Sequence, residues 1–164
     1  MVVTDTDLGA SSILAEIEKA RNSYVIVGFP AGTKTINQVQ TNQKTGKQRT
    51  KKAGLSMPEI AAANEFGTRT IPARPFMRTS YDENIQTINR AIEGEYNKIV
   101  AGTSTVELSL NKIGVYMVGL IKTKIRAIHQ PENSPRTRAI KGSSKPLIDF
   151  GQMIGAVQYK VIIA

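Results

Sequence analysis

The residue types that usually perform catalysis are scarce in this chain. It has one histidine, His129, and no cysteine, so metal sites built from imidazole and thiolate ligands are excluded by count. Three pairs of acids stand one or two positions apart, which places the members of each pair on different faces of a helix. These pairs are Glu16/Glu18, Asp82/Glu83 and Glu93/Glu95. We find no nucleophile paired with a base, and we expect no catalytic residue, no metal site and no cofactor.

Two short strings resemble catalytic motifs only in part. KTGKQ, residues 44–48, is similar to the end of a phosphate-binding loop, but Thr41 holds the place of the first glycine and Gln48 that of the final Ser/Thr. DFG, residues 149–151, matches a kinase triplet without the glycine-rich loop or HRD that would precede it. A lone histidine at a helix end is usually a solvent-facing cap. These strings do not favour an enzyme.

Positive charge is the first feature that points to a partner. The chain has 22 Lys and Arg against 13 Asp and Glu, a net charge of +9. A segment without acids, between Gly32 and Gly54, contains Lys34, Lys44, Lys47, Arg49, Lys51 and Lys52. A second basic segment, in which Glu132 is the one acid, contains Lys122, Lys124, Arg126, Arg136, Arg138, Lys141 and Lys145. Such segments indicate a polyanion nearby, most often nucleic acid, or a loop kept soluble by lysine.

Length and composition indicate one globular domain over residues 1–164. Forty per cent of the residues are hydrophobic and 21% are charged, as is usual for a soluble protein. No apolar run approaches the ~18 residues of a membrane helix. The first residues lack the basic and apolar regions of a signal peptide. We expect a protein of the reducing cytosol that does not contact a membrane.

The elements that position the basic segments follow from hydrophobic periodicity. Residues 12–22 are predicted to form an amphipathic helix with Ile13, Leu14, Ile17 and Ala20 on one side. YVIVGFP, residues 24–30, predicts a buried strand. Residues 31–54 are polar almost throughout, which predicts a long mobile basic loop with a strand near 35–40.

Three helices are predicted in the centre of the chain. Ser56 and Glu59 have the spacing of a capping box, and Gly67 is predicted to be a left-handed C-cap. A long helix from about Met77 to Gly102 has one apolar stripe, formed by Tyr81, Ile85, Ile88, Ile92, Tyr96 and Ile99. A second capping box, Ser104 to Glu107, starts a helix to about His129. Its stripe contains Val106, Leu110, Ile113, Met117, Leu120 and Ile128, with Val115 and Val118 beside it. The short connection between the two long helices predicts an antiparallel hairpin.

The end of the chain completes the predicted fold. Residues 130–145 read as a second extended basic loop, residues 149–155 as a helical turn, and VQYKVII as a half-buried strand. This order predicts an α+β domain in which a small, mostly antiparallel sheet packs against the long helical hairpin.

The segment NEFGTRTIPARPFMR, residues 64–78, joins two of the predicted helices. Pro72 and Pro75 fix their own φ and favour extended residues before them, so we expect a stiff extended strut. Arg74 is expected to pair with an acid, either Glu65 or the distant Asp149. A rigid packing corner without a direct role is an equally good interpretation.

At these residues the chain resembles a known family. EIAAANEFGTRTIPARPFMR, and later KPLIDFGQMIGAVQYKV, resemble the tail-completion or neck proteins of long-tailed bacteriophages and prophages, grouped with minor tail protein Z of lambda-like phages. The matching residues are Glu65, Phe66, Gly67, Thr68, Ile71, Pro72, Ala73, Arg74, Pro75 and Phe76, then Pro146, Leu147, Asp149 and Gly151. Phe150 departs from the usual Thr or Ser. Residues 31–54 and 130–145 have no recognisable family signature.

The resemblance implies a structural virion protein that catalyses nothing. Such proteins form a homo-oligomeric ring, with a hexamer favoured, at the head–tail junction. Their partners would be the head connector or head-completion protein, the tail terminator or tail tube, and non-specific double-stranded DNA in the channel. The protein would be assembled in the host cytoplasm and located in the neck of the virion. Residues 65–67, Pro72 and residues 74–76 would set subunit geometry. From their charge, we expect the six basic residues between Gly32 and Gly54, Lys34, Lys44, Lys47, Arg49, Lys51 and Lys52, to face DNA.

Four alternatives stay open at this point. A sequence-independent nucleic-acid-binding module would also explain the charge, although no aromatic residue lies between Pro30 and Phe66 to stack on bases. An enzyme would need a carboxylate site that we cannot locate. Tail terminators and head-completion proteins share this size and charge, and the basic loops would equally suit an acidic partner protein.

Overall fold

The computed structural model describes residues 9–33, 38–41, 48–51, 54–141, 145–148 and 151–164. In chain order the elements are α1 (Ala10–Asn22), β1 (Tyr24–Gly28), β2 (Gln38–Thr41), β3 (Gln48–Lys51), α2 (Met57–Phe66), α3 (Phe76–Val100), α4 (Val106–Ala127), α5 (Pro135–Lys141), α6 (Gln152–Ala156) and β4 (Gln158–Ile162). The predicted α+β class is confirmed, with α3 and α4 as the two long helices.

The described strands form two small sheets. The predicted strands near the two ends of the chain, β1 and β4, pair with each other. β2 and β3 form a separate antiparallel ribbon, in a register that runs from Gln38 opposite Lys51 to Thr41 opposite Gln48. A strand near residues 35–40 was predicted within the loop 31–54, and β2 lies at Gln38–Thr41. The loop prediction still needs correction, because β2 pairs with a second strand, β3, despite the polar sequence of both. The mobility expected for residues 34–37, 42–47 and 52–53 concerns positions outside the described residues.

The second basic segment also contains regular structure. Residues 135–141 form the short helix α5, in which Ser134 caps the first turn by accepting the Thr137 N–H at its Oγ, 3.2 Å away. Proline at the first helical position suits this start, since its missing N–H would have no partner there. The extended loop expected over 130–145 is thus interrupted by a helix.

The chain forms two compact units, and each is described by itself. Unit 1 contains Met1–Val27, Asn84–Met117 and Tyr159–Ala164, and unit 2 contains Gly28–Glu83 and Val118–Gln158. The long helices α3 and α4 each contribute residues to both units. The single domain expected from chain length stays a prediction.

In unit 1, α1 fixes the start of α4. The Glu16 carboxylate accepts the Val106 N–H at 2.7 Å, and Thr105 Oγ1 accepts the Leu108 N–H at 3.3 Å. Ser104 hydrogen-bonds to the Ser109 hydroxyl at 2.9 Å instead of capping the helix. The capping box predicted at Ser104 is therefore wrong: Thr105 caps the helix one residue later, and the Ser104 N–H donates to the Lys98 carbonyl at 3.2 Å instead of to Glu107.

The apolar stripes of the long helices are only partly covered. Ile88 and Ile99 of α3 are buried, whereas the outer members of the same stripe, Tyr81, Ile92 and Tyr96, are about half exposed. On α4 the buried positions include Val106, Ile121 and Ile125, while Val115 is exposed. Leu14 of α1 is also exposed. Periodicity identifies an apolar face, but what packs on that face decides how much of it is buried.

No described helix combines the length and the apolar character needed to cross a membrane.

Candidate functional site

The corner between α2 and α3 begins with a helix whose ends follow the sequence prediction. The Ser56 N–H donates to Glu59 Oε2 at 2.7 Å and the Glu59 N–H to Ser56 Oγ at 3.5 Å, so the capping box is confirmed. Ser56 Oγ also donates to Glu59 Oε2 at 2.7 Å, and this bond first, then the bond from the Ser56 N–H, lowers the pKa of Glu59. After α2, Gly67 has φ 77° and ψ 170°. Its φ is positive as expected, but its ψ is not that of a left-handed helix.

Gly67 is also required by the close approach of the following chain. A Cβ at this position would lie 2.9 Å from the Ala73 nitrogen and 3.1 Å from the Ile71 oxygen. The Thr68 N–H donates to the Ile71 oxygen at 2.8 Å, and the Arg74 N–H to the Asn64 oxygen at 2.6 Å. The segment therefore folds back on itself, and the extended strut was a wrong prediction. The prolines restrict their own neighbours, but the reversal occurs between Thr68 and Ile71, before either proline.

Glu65 caps the long helix α3. Its side chain is buried, and its two carboxylate oxygens accept the N–H groups of Met77 at 2.9 Å and Arg78 at 3.0 Å. These amides belong to the first turn of α3 and have no partner within the helix. A negative charge also complements the positive end of the helix dipole. Glu65 thus orients α3 relative to α2, and its predicted pairing with Arg74 is wrong.

Arg74 is the most buried charged side chain described, with 3% of its surface exposed. Its side chain donates to four neutral oxygens. Nε donates to the Pro131 carbonyl at 2.7 Å, and Nη1 donates to Asn64 Oδ1 at 3.4 Å. Nη2 donates to the Glu132 carbonyl at 3.0 Å and to Asn133 Oδ1 at 3.4 Å. Burial lowers the pKa of Arg74. The planar guanidinium can hold several acceptors at fixed directions, so it binds the corner to residues 131–133.

The sequence did not indicate these partners of Arg74. The carbonyl oxygens of Pro131 and Glu132 lie 57 and 58 positions away in the chain, and any residue type would supply them. Asn133, which is buried and also donates to the Lys145 carbonyl at 3.3 Å, is the one side chain there that sequence reasoning missed. Asp149, the other acid proposed for Arg74, lies outside the described residues.

The aromatic residues of the corner have opposite environments. Phe76 is fully buried and packs edge-on against Phe29, with 5.9 Å between the ring centres. Phe66 is 73% exposed. It lines an apolar groove of about 510 Å³ together with Phe29, Pro58, Ala61, Ala62 and Met77. Phe76 therefore belongs to the core, whereas Phe66 presents its ring to the surface. Pro72 is exposed, and Pro75 is partly buried and accepts the Thr79 N–H.

The second block of the family resemblance belongs to the same unit as the corner. Pro146 and Leu147 are buried, and Gly151, with φ 67°, precedes α6. α6 packs against α2 and buries Met153 and Ala156. Unit 2 thus contains both blocks of the resemblance, although they are far apart in sequence. The first block is residues 59–78, and the second is the part of residues 145–161 up to Gln158.

The predicted DNA-facing residues are only partly described. Arg49 and Lys51 lie on β3, whereas Lys34, Lys44, Lys47 and Lys52 lie outside the described residues. In the second basic segment, Lys124 pairs with Glu83 at 2.6 Å and Arg138 with Glu132 at 2.9 Å. Part of the charge in that segment is therefore compensated within the chain.

Within the described ranges, no group of three or more His, Asp and Glu residues could hold a metal ion. Comparison with models of protein families, with curated proteins and with solved structures finds no match for this chain.

Proposed function

We propose that this protein is a structural subunit of the neck of a long-tailed bacteriophage, which completes the tail and joins it to the head connector around the DNA channel. One observation supports this most. The two sequence blocks that resemble neck proteins lie in a single unit, where the first forms a corner held by buried Glu65 and Arg74. The motif residues thus support one another's positions.

A rigid corner suits a subunit of a closed ring. Each subunit of a ring meets the next through the same rotation, so an error in the angle between elements is repeated at every interface. Glu65 fixes the start of α3 with two hydrogen bonds, and Arg74 fixes the preceding segment with four. The assembled state we propose is a homo-oligomeric ring, with a hexamer favoured.

The proposed role needs no chemistry from the protein. The ring would contact the connector or head-completion protein on one side and the tail terminator or tail tube on the other. Double-stranded DNA would pass through it without being read. The protein would then be found in the virion, after assembly in the host cytoplasm.

Complementation tests the proposal directly. In the phage or prophage that encodes the chain, deletion of its gene should give DNA-filled heads and separate tails, and supplied wild-type protein should restore joined particles. Joined, infectious particles formed without the protein would contradict the proposal.

The mass of the purified protein provides a second test. Native mass spectrometry and negative-stain microscopy, on protein freed of nucleic acid, should show a ring or its assembly on the connector. A monomer that binds DNA tightly and does not restore particles would instead favour the nucleic-acid-binding module.

A further inference from the structure

The apolar groove of unit 2 runs along one face of α2. It has a volume of about 510 Å³, and Phe29, Met77 and Arg78 form part of its lining. Along α2 the lining side chains form two rows in which neighbours stand four positions apart, namely Pro58, Ala62 and Phe66 in the first and Ala61 and Glu65 in the second. Rows of this kind bound the surface groove into which another helix packs. Because Ala61 and Ala62 are small, the middle of this α2 groove has room for a large side chain.

The part of α3 that belongs to unit 1 has an exposed apolar row with the same spacing. Ile92, Tyr96 and Val100 also stand four positions apart, and each is between 42% and 50% exposed. This row, which we call the α3 ridge, spans about 12 Å of helix, as does the row from Pro58 to Phe66. One exposed apolar side chain is ordinary, whereas a row of three on one helix face is typical of a surface that contacts a partner.

We propose that the α3 ridge of one copy of this chain packs, antiparallel, into the α2 groove of a second copy. In this register Tyr96 fills the space beside the two alanines, Ile92 contacts Phe66 and Val100 contacts Pro58. Interlocking rows with a spacing of four residues set the two helix axes about 50° apart. The inference rests on the proposed ring, and it names the two surfaces that join one subunit to the next.

Charge selects the antiparallel direction. Arg78 is exposed and lines the groove, and its N–H donates to Glu65, so it lies near the C-terminal end of α2. Glu93 is exposed and directly follows Ile92 on α3. The antiparallel register brings Glu93 of one copy towards Arg78 of the other, whereas a parallel register would bring it towards the exposed Glu59. A charge pair at the rim of an interface selects the register more than it adds affinity.

A second copy is the favoured occupant because the same chain carries both halves of the contact. A groove bounded by small side chains and a ridge of large ones differ in shape and match in length. A contact between two different surfaces leaves one groove and one ridge free at the ends of every assembly, so it continues until a ring closes. A two-fold contact of groove with groove would stop at a dimer and bring two Arg78 side chains together.

Mixing two variants, each with one altered surface, tests the proposal. Ala62→Arg fills the groove, and Tyr96→Asp removes the centre of the ridge. In native mass spectrometry of full-length protein freed of nucleic acid, the wild type should be larger than a monomer and each variant alone should be a monomer. An equimolar mixture should give dimers that contain one copy of each variant and nothing larger, because one intact groove and one intact ridge remain.

A matched control separates the ridge from surface polarity in general. Tyr81 lies in the same helix and is 48% exposed, close to the 50% of Tyr96, but it does not line the groove. Tyr81→Asp should keep the wild-type mass. Loss of the oligomer in this control as well would overturn the assignment to the ridge, and circular dichroism of every variant checks that the fold is retained.

Exchange of the two charges tests the register. Arg78→Glu and Glu93→Arg should each weaken association about tenfold, because each brings like charges together across the contact. The double variant Arg78→Glu/Glu93→Arg restores opposite charges and should recover most of the wild-type association. Absence of recovery would overturn the antiparallel contact, and recovery requires that both residues meet in copies of this chain.

The outcomes for this inference and for the neck function are distinct. A wild type that stays monomeric, or a mixture without mixed dimers, would overturn the inference alone if the gene still restored joined particles. Mixed dimers from a chain whose deletion leaves joined, infectious particles would contradict the neck function alone.

Discussion

Glu65 and Arg74 each hold the corner through bonds to other residues rather than through a bond to each other. Glu65 accepts two helix amides, whereas three of the four bonds from Arg74 reach residues 131–133. A buried charge needs partners for each of its polar atoms, and neutral oxygens at fixed positions can supply them to a guanidinium. Arg74 is thus a cross-link between distant parts of unit 2.

Removing the Arg74 side chain should therefore destabilise the protein strongly. Arg74→Ala leaves the four oxygens that it bonds without this donor, at a cost of about 3 kcal/mol in the free energy of unfolding. Arg74→Lys should also be destabilising, because one ammonium group cannot reach acceptors on both sides of a planar fork. Urea unfolding measures both.

The control for Arg74 is its neighbour Arg78. The Arg78 side chain is exposed, so Arg78→Ala should change the free energy of unfolding by no more than about 0.5 kcal/mol. Equal effects of Arg74→Ala and Arg78→Ala would show that the hydrogen bonds of Arg74 do not matter for stability.

At the scale of elements, the N-terminus of each long helix is capped by an acidic side chain from another helix. Glu65 of α2 caps α3, and Glu16 of α1 caps α4. The first amides of a helix need such partners, and a carboxylate also complements the helix dipole. Each cap is a contact between elements, so it fixes where the helix begins and what lies beside it.

The cap by Glu16 should make stability depend on pH. Its hydrogen bond from Lys19, and next that from the Val106 N–H, lower the pKa of Glu16 below its ordinary value of 4.5. A group whose pKa is lower in the folded chain stabilises above its unfolded pKa, and this stabilisation is lost as the pH falls through the folded pKa. Glu16→Gln should therefore lose less stability than the wild type between about pH 6 and about pH 3.

Thermal unfolding across this pH range checks the prediction. Glu18→Gln is the matched control, because Glu18 pairs with Arg21 at 3.2 Å with both side chains about 70% exposed. This variant should follow the wild type, since exposed ion pairs contribute little. A wild-type pH profile for Glu16→Gln would contradict the proposed cap.

The contact between α4 and β4 depends on a helical glycine. A Cβ at Gly114 would lie 2.3 Å from Cδ2 of the Tyr159 ring, whose hydroxyl donates to Asn111 Oδ1 at 3.1 Å. Gly114→Ala should force the ring to move and cost about 1–3 kcal/mol in stability. Gly119 lies in the same helix with nothing within 4 Å of its Cβ position. Gly119→Ala should instead stabilise by up to about 1 kcal/mol.

Chemical denaturation of the two alanine variants gives the comparison. Opposite signs would confirm the close contact of Tyr159 with α4. A stabilising Gly114→Ala would contradict it, because helix propensity alone would then explain both results.

At the scale of the whole molecule, the proposed DNA contact and the proposed assembly geometry are assigned to different residues. Several cations outside the ribbon are paired within the chain, including Lys19, Arg21, Lys112, Lys124 and Arg138. The corner, by contrast, is held by hydrogen bonds of Glu65 and Arg74 whose partners lie outside the ribbon. DNA binding and ring formation should therefore be separable.

Neutralising the ribbon should leave assembly intact. Arg49→Gln/Lys51→Gln, freed of nucleic acid, should give the same oligomeric mass as the wild type by native mass spectrometry, and particles made with it should retain DNA less well. Loss of the oligomer in the absence of DNA would instead place these cations in a contact between proteins.

The sequence by itself determined what depends on near neighbours. The α+β class, the capping box at Ser56 and the positive φ of Gly67 follow from residues a few positions apart, because periodicity, caps and turns are local interactions. Only the tertiary structure decided the partners of Arg74, the cap from Glu16, 90 positions before Val106, and which half of the α3 stripe is buried. Those contacts join residues that are distant in the sequence and close only in the folded chain. Every residue has a backbone carbonyl, so the sequence does not show which carbonyl will accept a given hydrogen bond.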